Sequence, residues 1–317
     1  MVKANESLLK KQEKKWVTKC KQQWMLLALA IILVGYLFLF KILPIFGWVM
    51  GFMDYKLGNG PNQGFNSPWV GFDKFKQMFD DAEFWASLKN TLSISLLRIL
   101  FSFTFPIALA LMINEIPHAG YKKFFQTVSY LPHFVSWVVV GAISTRILSV
   151  NGPINTLLQR FGMEEPYLFM EEPKFFYMLT GITYIWKEMG WDAIIYISAM
   201  AAIDPSLYEA AKIDGAGRMR RIFSITLPCI LTTMVTLLVL KVGTVLNTGY
   251  EQMYVLQTGS TSPKAEVLDL YIYRVAFRGS FRYSLATCAS IFKSLISVVL
   301  IFITNKIANK FEQGIML

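Results

Sequence analysis

The sequence predicts an all-α, polytopic membrane protein with six transmembrane helices. Three observations carry that expectation. Hydrophobic residues make up 54% of the 317 residues and charged residues only 16%, with a mean hydropathy of +0.44. A soluble chain carries about a quarter charged residues, so this one lacks the charge that a water-facing surface needs. Next, six apolar stretches reach the roughly 20 residues that a helix needs to cross a bilayer, at 24–45, 88–113, 124–147, 175–203, 230–256 and 285–307. Finally, the net charge of +10 sits at the N-terminus and in short loops beside apolar runs, which fits a lipid bilayer and not nucleic acid. The apolar content excludes disorder, and three cysteines are too few for a disulfide scaffold. A closed barrel would show alternating segments of about ten residues, and none is visible.

The elements follow in chain order. Residues 1–23 form a basic segment with Lys3, Lys10, Lys11, Lys14, Lys15, Lys19 and Lys21. The first span, 24–53, is too long for a cleaved signal and no small-residue cleavage site follows it. Residues 54–87 form an outer loop broken by Gly58, Gly60, Pro61, Gly64 and Pro68, and the amphipathic run 72–84 predicts a short interfacial helix. Residues 88–317 hold the other five spans. Lys122, Lys123, Lys212, Arg218, Arg220, Arg221, Lys306 and Lys310 share the side of the basic N-terminus, whereas Asp54, Asp73, Asp80, Asp81, Glu83, Glu164, Glu165, Glu171 and Glu172 lie opposite. Both termini are therefore expected in the cytoplasm. Arg274, Arg278 and Arg282, in the last outer loop, run against that rule. The outer segments 149–174 and 257–284 combine turns with amphipathic helix and could receive an extracellular partner or serve only as connectors. Cys20, Cys229 and Cys288 read as small apolar fillers.

The loop 204–228, between spans four and five, carries the most specific pattern. Asp204 suits a helix N-cap and Pro205 the first helical position. Residues 207–213 form a short helix, Gly215 and Gly217 can stop it in a left-handed conformation, and a second basic helix covers 219–225. Pro228 is expected to open span five. The result is a cytoplasmic helix–turn–helix pressed under the membrane, a docking knob and not a catalytic centre.

Glu209-Ala210-Ala211, Gly215 and Ile225-Thr226-Leu227-Pro228 match the EAA signature without a departure. The chain resembles the permease subunits of ATP-binding cassette importers. The stretch from Trp186 to Pro228 is similar to the carbohydrate, maltose-type branch, and the whole chain to the LplB-type permeases for polysaccharides or complex oligosaccharides. The resemblance implies the type I importer (MetI-like) permease fold, with 88–317 as a five-helix permease core and span one wrapped around a partner. It implies a second homologous permease, two ATPase subunits, an extracellular solute-binding protein and residence in a bacterial cytoplasmic membrane. ATP and magnesium would sit on the ATPases. This chain has no phosphate-binding glycine loop, so no cofactor is expected in it. Glu209 and Gly215 would engage the ATPase, with Ala210, Ala211, Asp214 and Gly217 beside them. Otherwise Glu209 merely pairs with Lys212 along an exposed helix face.

Charges inside spans cost roughly 2.5–3.5 kcal/mol each and usually face a cavity. Span four carries Trp186, Lys187, Glu188, Gly190, Trp191 and Asp192, with Glu188 and Asp192 on one face and Gly190 open to close approach. Span five carries Lys241, Asn247, Thr248, Tyr250, Glu251 and Gln252, groups able to hydrogen-bond or stack on sugars. The resemblance places sugar contacts at Glu188, Trp191, Lys241, Val245 and Thr248, although Val245 departs from the polar type expected there. In the alternative, Lys241 and Glu188 pair with each other and Trp186 and Trp191 pack in the bundle. His118 and His133 have no partners at metal-ligand spacing. Within the importer reading the alternative is a different solute, such as a modified or acidic sugar, which Lys241 keeps open. Two other classes remain, a stand-alone secondary transporter and a membrane enzyme. The first leaves the 204–228 loop unexplained and the second lacks a catalytic cluster.

Overall fold

A computed structural model of the protein describes residues 23–58, 60–278 and 281–315. The basic segment expected at 1–23 therefore lies, apart from Gln23, outside the described residues, and so does Cys20. The fold is helical throughout. An isolated bridge between Met53 and Trp69 is the one extended pairing among the described residues.

Helix α1 (Trp24–Phe52) is regular to Leu37, loosens into a π turn over Phe38–Ile42 and tightens into a 3-10 helix over Leu43–Phe52. The π turn precedes Pro44, whose ring displaces the carbonyl four residues back. A short α2 (Asp73–Phe79) is the expected interfacial helix. Helix α3 (Ala82–Asn114) starts where the Asp81 carboxylate accepts from the Glu83 N–H at 2.9 Å.

The stretch expected to be a single third span is broken. Helix α4 (Ala119–Tyr130) passes into a 3-10 turn over Leu131–Phe134, and α5 (Trp137–Leu148) begins afresh at a Ser136 cap. Pro132 lacks the N–H that would continue α4, and Ser136 offers its hydroxyl to a new helix start. Next come α6 (Pro153–Arg160), α7 (Pro173–Ala201) and α8 (Pro205–Ile213).

The fifth expected span differs as well. Helix α9 (Arg218–Cys229) meets α10 (Leu231–Thr244) at a 60° bend. Pro228 lies at the end of α9, beside that bend, and does not open a straight span. Helix α10 stops at Thr244, and Gly249, at φ +68°, turns the chain into a separate α11 (Tyr250–Leu256). The chain closes with α12 (Ser262–Ala265), α13 (Leu268–Phe277) and α14 (Tyr283–Ile315).

Four segments have the length and apolarity to cross a membrane: α1, α3, α5 with α6, and α14. The bent pair α9–α10 makes a fifth. The 29-residue α7 has the length for a sixth, with Lys187, Glu188 and Asp192 in its middle.

Three buried clusters hold the bundle. Phe84, Leu88, Tyr271 and Leu285 join α3, α13 and α14 at one end. Ile94, Phe176, Met253 and Leu270 join α3, α7, α11 and α13 above the centre. Ile107, Tyr196, Met200 and Ile230 join α3, α7 and the α9–α10 bend at the other end. Helix α1 stands almost clear of this core. Only its last turn docks, where Gly51 lies against Ile291 and Cys288 and its carbonyl accepts from the Cys288 thiol.

Two of the three arginines that run against the charge rule have local partners. Arg274 binds Glu83 and Glu266, each at 2.7 Å, and Arg278 donates to the Tyr254 hydroxyl at 2.7 Å. Arg274 is thus held by carboxylates, and its pair with Glu83 ties the first and last outer loops to one side. The Asp54–Lys74 pair at 2.6 Å secures the first loop further, and that bond holds the Asp54 carboxyl below its ordinary pKa.

Candidate functional site

Helix α8 is built as the sequence requires. The Asp204 carboxylate accepts from the Ser206 N–H at 2.9 Å, which holds its pKa below the ordinary carboxylate value, and Pro205 takes the first position. At the other end the Ala216 N–H reaches the Ala211 carbonyl at 2.8 Å and the Gly215 N–H the Lys212 carbonyl at 3.1 Å. That pair of bonds is a Schellman stop, and Gly215 supplies its left-handed residue at φ +74°. Gly217 does not share that role. It is extended, at φ −67° and ψ 169°, and caps α9 instead. The Tyr208 hydroxyl meets the Thr226 hydroxyl at 2.9 Å and ties α8 to α9.

The outward surface of this knob is open. Glu209, Ala210, Asp214 and Gly215 are exposed, Ala211 is half-buried, and Ile213 is 87% exposed. Glu209 has no ion pair among the described residues, so the alternative pairing with Lys212 is not formed. Ile213 and the unpaired Glu209 carboxylate thus lie open on the same short helix.

The second set of residues converges at mid-bundle. Lys241 of α10 binds Asp192 of α7 at 2.6 Å, not Glu188. Glu188 is held by His133 Nδ1 at 2.7 Å and lies 3.4 Å from Lys187. Lys187 also donates to the His133 carbonyl. The Trp191 ring stacks on His133 with centroids 4.4 Å apart and planes 7° from parallel, and it remains 44% exposed. The break at Pro132 brings His133 here, which sequence spacing does not reveal. Gly190 allows the approach: a Cβ there would fall 1.9 Å from the Ser129 carbonyl oxygen of α4.

Other expected contacts lie elsewhere. Trp186 faces an apolar groove with Val140, Ile147 and Leu179. Thr248 is fully buried with its hydroxyl unpartnered, Tyr250 stacks on Tyr273 at 5.3 Å, and Glu251 is exposed. Asn247, Val245 and Lys241 line a cavity of about 180 Å³ together with Arg98, Ser102 and Tyr184. Arg98 and Tyr184 are absent from the sequence expectations, although a charge in the middle of the second apolar stretch is itself the signal.

The arrangement offers polar and aromatic groups to a hydroxylated solute at mid-bundle and a rigid docking knob at one end. Residues 102–316 match the family model for binding-protein-dependent transport system inner membrane components. The chain is 41% identical to the polygalacturonan/rhamnogalacturonan transport system permease protein YteP of Bacillus subtilis (strain 168), covering 96% of this chain and 94% of that protein. It is 40% identical to Protein LplB of the same organism, covering 94% and 92%. Among solved structures it is similar to a bacterial ABC transporter involved in import of the acidic polysaccharide alginate, with TM-score 0.83 and 37% identity over 93% of this chain and 99% of that one. The chain belongs to the family of binding-protein-dependent transport system inner membrane components and is a permease subunit of an ABC importer for sugars.

Proposed function

We propose that this permease moves an oligosaccharide inward after an extracellular solute-binding protein delivers it, driven by two ATPase subunits, one of which docks on α8. The single observation that carries the coupling role is the α8 knob, a capped and Schellman-stopped helix presenting Glu209 without an internal partner. Closure of the ATPases would push α8, and the Tyr208–Thr226 bond passes that push to α9 and the 60° bend below α10. Glu209, Ala210, Ala211, Asp214, Gly215 and Gly217 form the ATPase face. ATP and magnesium are bound by the ATPases and not by this chain. A second homologous permease pairs with it, and the exposed length of α1 is the surface that such a partner would cover. Both termini lie in the cytoplasm.

The substrate path runs past Glu188, Trp191, Lys241 and Asn247. The half-exposed Trp191 face, held flat by His133, suits stacking on a sugar ring. An acidic oligosaccharide is the favoured substrate. The relatives named above include transporters of polygalacturonan and of alginate, and mid-bundle Arg98, Lys187 and Lys241 outnumber Glu188 and Asp192.

The test purifies the chain with its co-expressed neighbours and measures ATP hydrolysis stimulated by the loaded binding protein. Glu209→Ala together with Gly215→Asp should abolish stimulation or release the ATPase. If no ATPase co-purifies with wild type and uptake survives both substitutions, a stand-alone transporter is the better reading.

A further inference from the structure

Arg98 sits sixteen residues from either end of the 33-residue α3, at the middle of a membrane span. Among the described residues it has no ion-pair partner. The neighbouring mid-bundle cations have carboxylate partners, Lys241 in Asp192 and Lys187 in Glu188. Arg98 has no carboxylate within ion-pair distance among the described residues. It has the Tyr184 ring, with the guanidinium carbon 4.8 Å from the centroid, and the Gln252 side-chain oxygen, to which one terminal nitrogen donates. Its Nε is buried without a hydrogen-bond partner.

The geometry is a built one. Gln252 is buried, and its amide nitrogen donates to the Thr180 carbonyl and the Thr183 hydroxyl, both at 2.8 Å on α7. Those bonds turn the Gln252 oxygen toward Arg98 and hold the guanidinium in place. Arg98 then lines the cavity of about 180 Å³ with Ser102, Tyr184, Lys241 and Asn247. At about 30 Å³ per water that is the space of about six waters, enough for a carboxylate-bearing substituent. A cation left unpaired at mid-membrane faces a polar cavity and marks a solute pathway, and a guanidinium fork matches a carboxylate better than any other side chain.

We propose that Arg98 is the specificity-determining residue of this permease: its cavity receives the carboxylate of a uronic-acid unit as an acidic oligosaccharide passes. Asn247 and Tyr184, which line the same cavity, supply hydrogen bonds to the neighbouring hydroxyls. This rests on the importer reading above and adds to it the residue that reads the solute's charge.

The test uses the assembled importer in proteoliposomes with its binding protein and internal ATP. Uptake of trigalacturonate is compared with that of its uncharged counterpart, galactotriose. Arg98→Met should cut trigalacturonate uptake at least tenfold with co-purification of the other subunits intact, and Arg98→Lys should keep more than a third of it. Ser102→Asp, one helical turn along α3 and on the same cavity, should mimic the bound carboxylate and also cut uptake tenfold. It keeps the test open if Arg98→Met fails to assemble. The subsite is overturned if the assembled Met or Asp variant imports trigalacturonate within twofold of wild type, or if Lys falls as far as Met. It is overturned too, with the importer reading left standing, if wild type co-purifies with ATPases yet moves only galactotriose or neither sugar. If no ATPase co-purifies at all, the importer reading falls with it.

Discussion

At the residue scale, two contacts decide how the centre of the bundle is put together. Gly190 lets the α4 backbone lie against α7, with no room for a Cβ beside the Ser129 carbonyl. Backbone cannot swing aside as a side chain can, so Gly190→Ala should cost about 1–3 kcal/mol by overpacking, seen as a lower melting temperature in detergent. It should also loosen the stack of Trp191 on His133. Lys241 and Asp192 are each about one-fifth exposed. Lys241→Met leaves a carboxylate largely out of water with no partner, a loss of about 3 kcal/mol. Adding Asp192→Asn should recover most of it. If the double variant is no more stable than the single one, the pair is not what holds α7 to α10. Span charges and the adaptable glycine were legible in the sequence. Their partners were not, because pairing between helices depends on rotation and depth. Lys241 thus finds Asp192 in place of Glu188, which lies about one turn away on the same helix.

At the scale of elements, termini were read well and interruptions poorly. The start of α8 at Asp204–Pro205 and its end at Gly215 follow from local chemistry alone, since caps and left-handed stops involve only neighbours in the chain. Gly215→Ala should cost about 1–2 kcal/mol for a left-handed non-glycine residue, whereas Gly215→Asn should lose less. The comparison is made by thermal unfolding and by ATPase stimulation, and equal stability of the two variants would count against the Schellman stop. Gly217 was misassigned because a glycine serves an extended cap as readily as a left-handed turn. The third and fifth apolar stretches were read as straight spans because hydropathy does not register a break. Pro132 and Gly249 interrupt them without lowering the apolar average. Those interruptions shape the centre of the bundle: one brings His133 to Glu188 and Trp191, and the other follows Asn247, which lines the Arg98 cavity.

At the scale of the whole molecule, the docking knob and the outer loops lie at opposite ends of the same helices. Cys229 is free and exposed at the end of α9, near the knob. With Cys20 and Cys288 replaced by alanine, a membrane-impermeant maleimide should label Cys229 in inside-out vesicles and leave it unlabelled in right-side-out ones. The opposite pattern would invert the orientation. Helix α1 bears on this scale too. Its apolar length suits lipid or a partner helix, and only its Gly51 end is fixed to the bundle.

Composition, the lengths of the apolar runs and the loop charges were sufficient by themselves for a multi-pass helical membrane protein. The EAA pattern was sufficient for its kind, because each depends on residue type and spacing along the chain. The tertiary structure alone decided which charges are satisfied and which are not. Arg274 is neutralised by Glu83, 191 positions away, and Lys241 by Asp192, whereas Arg98 meets only Gln252 and the Tyr184 ring among the described residues. Such pairings are long-range, and desolvation makes each worth far more in the bundle than in water. Only the packed helices could assign them.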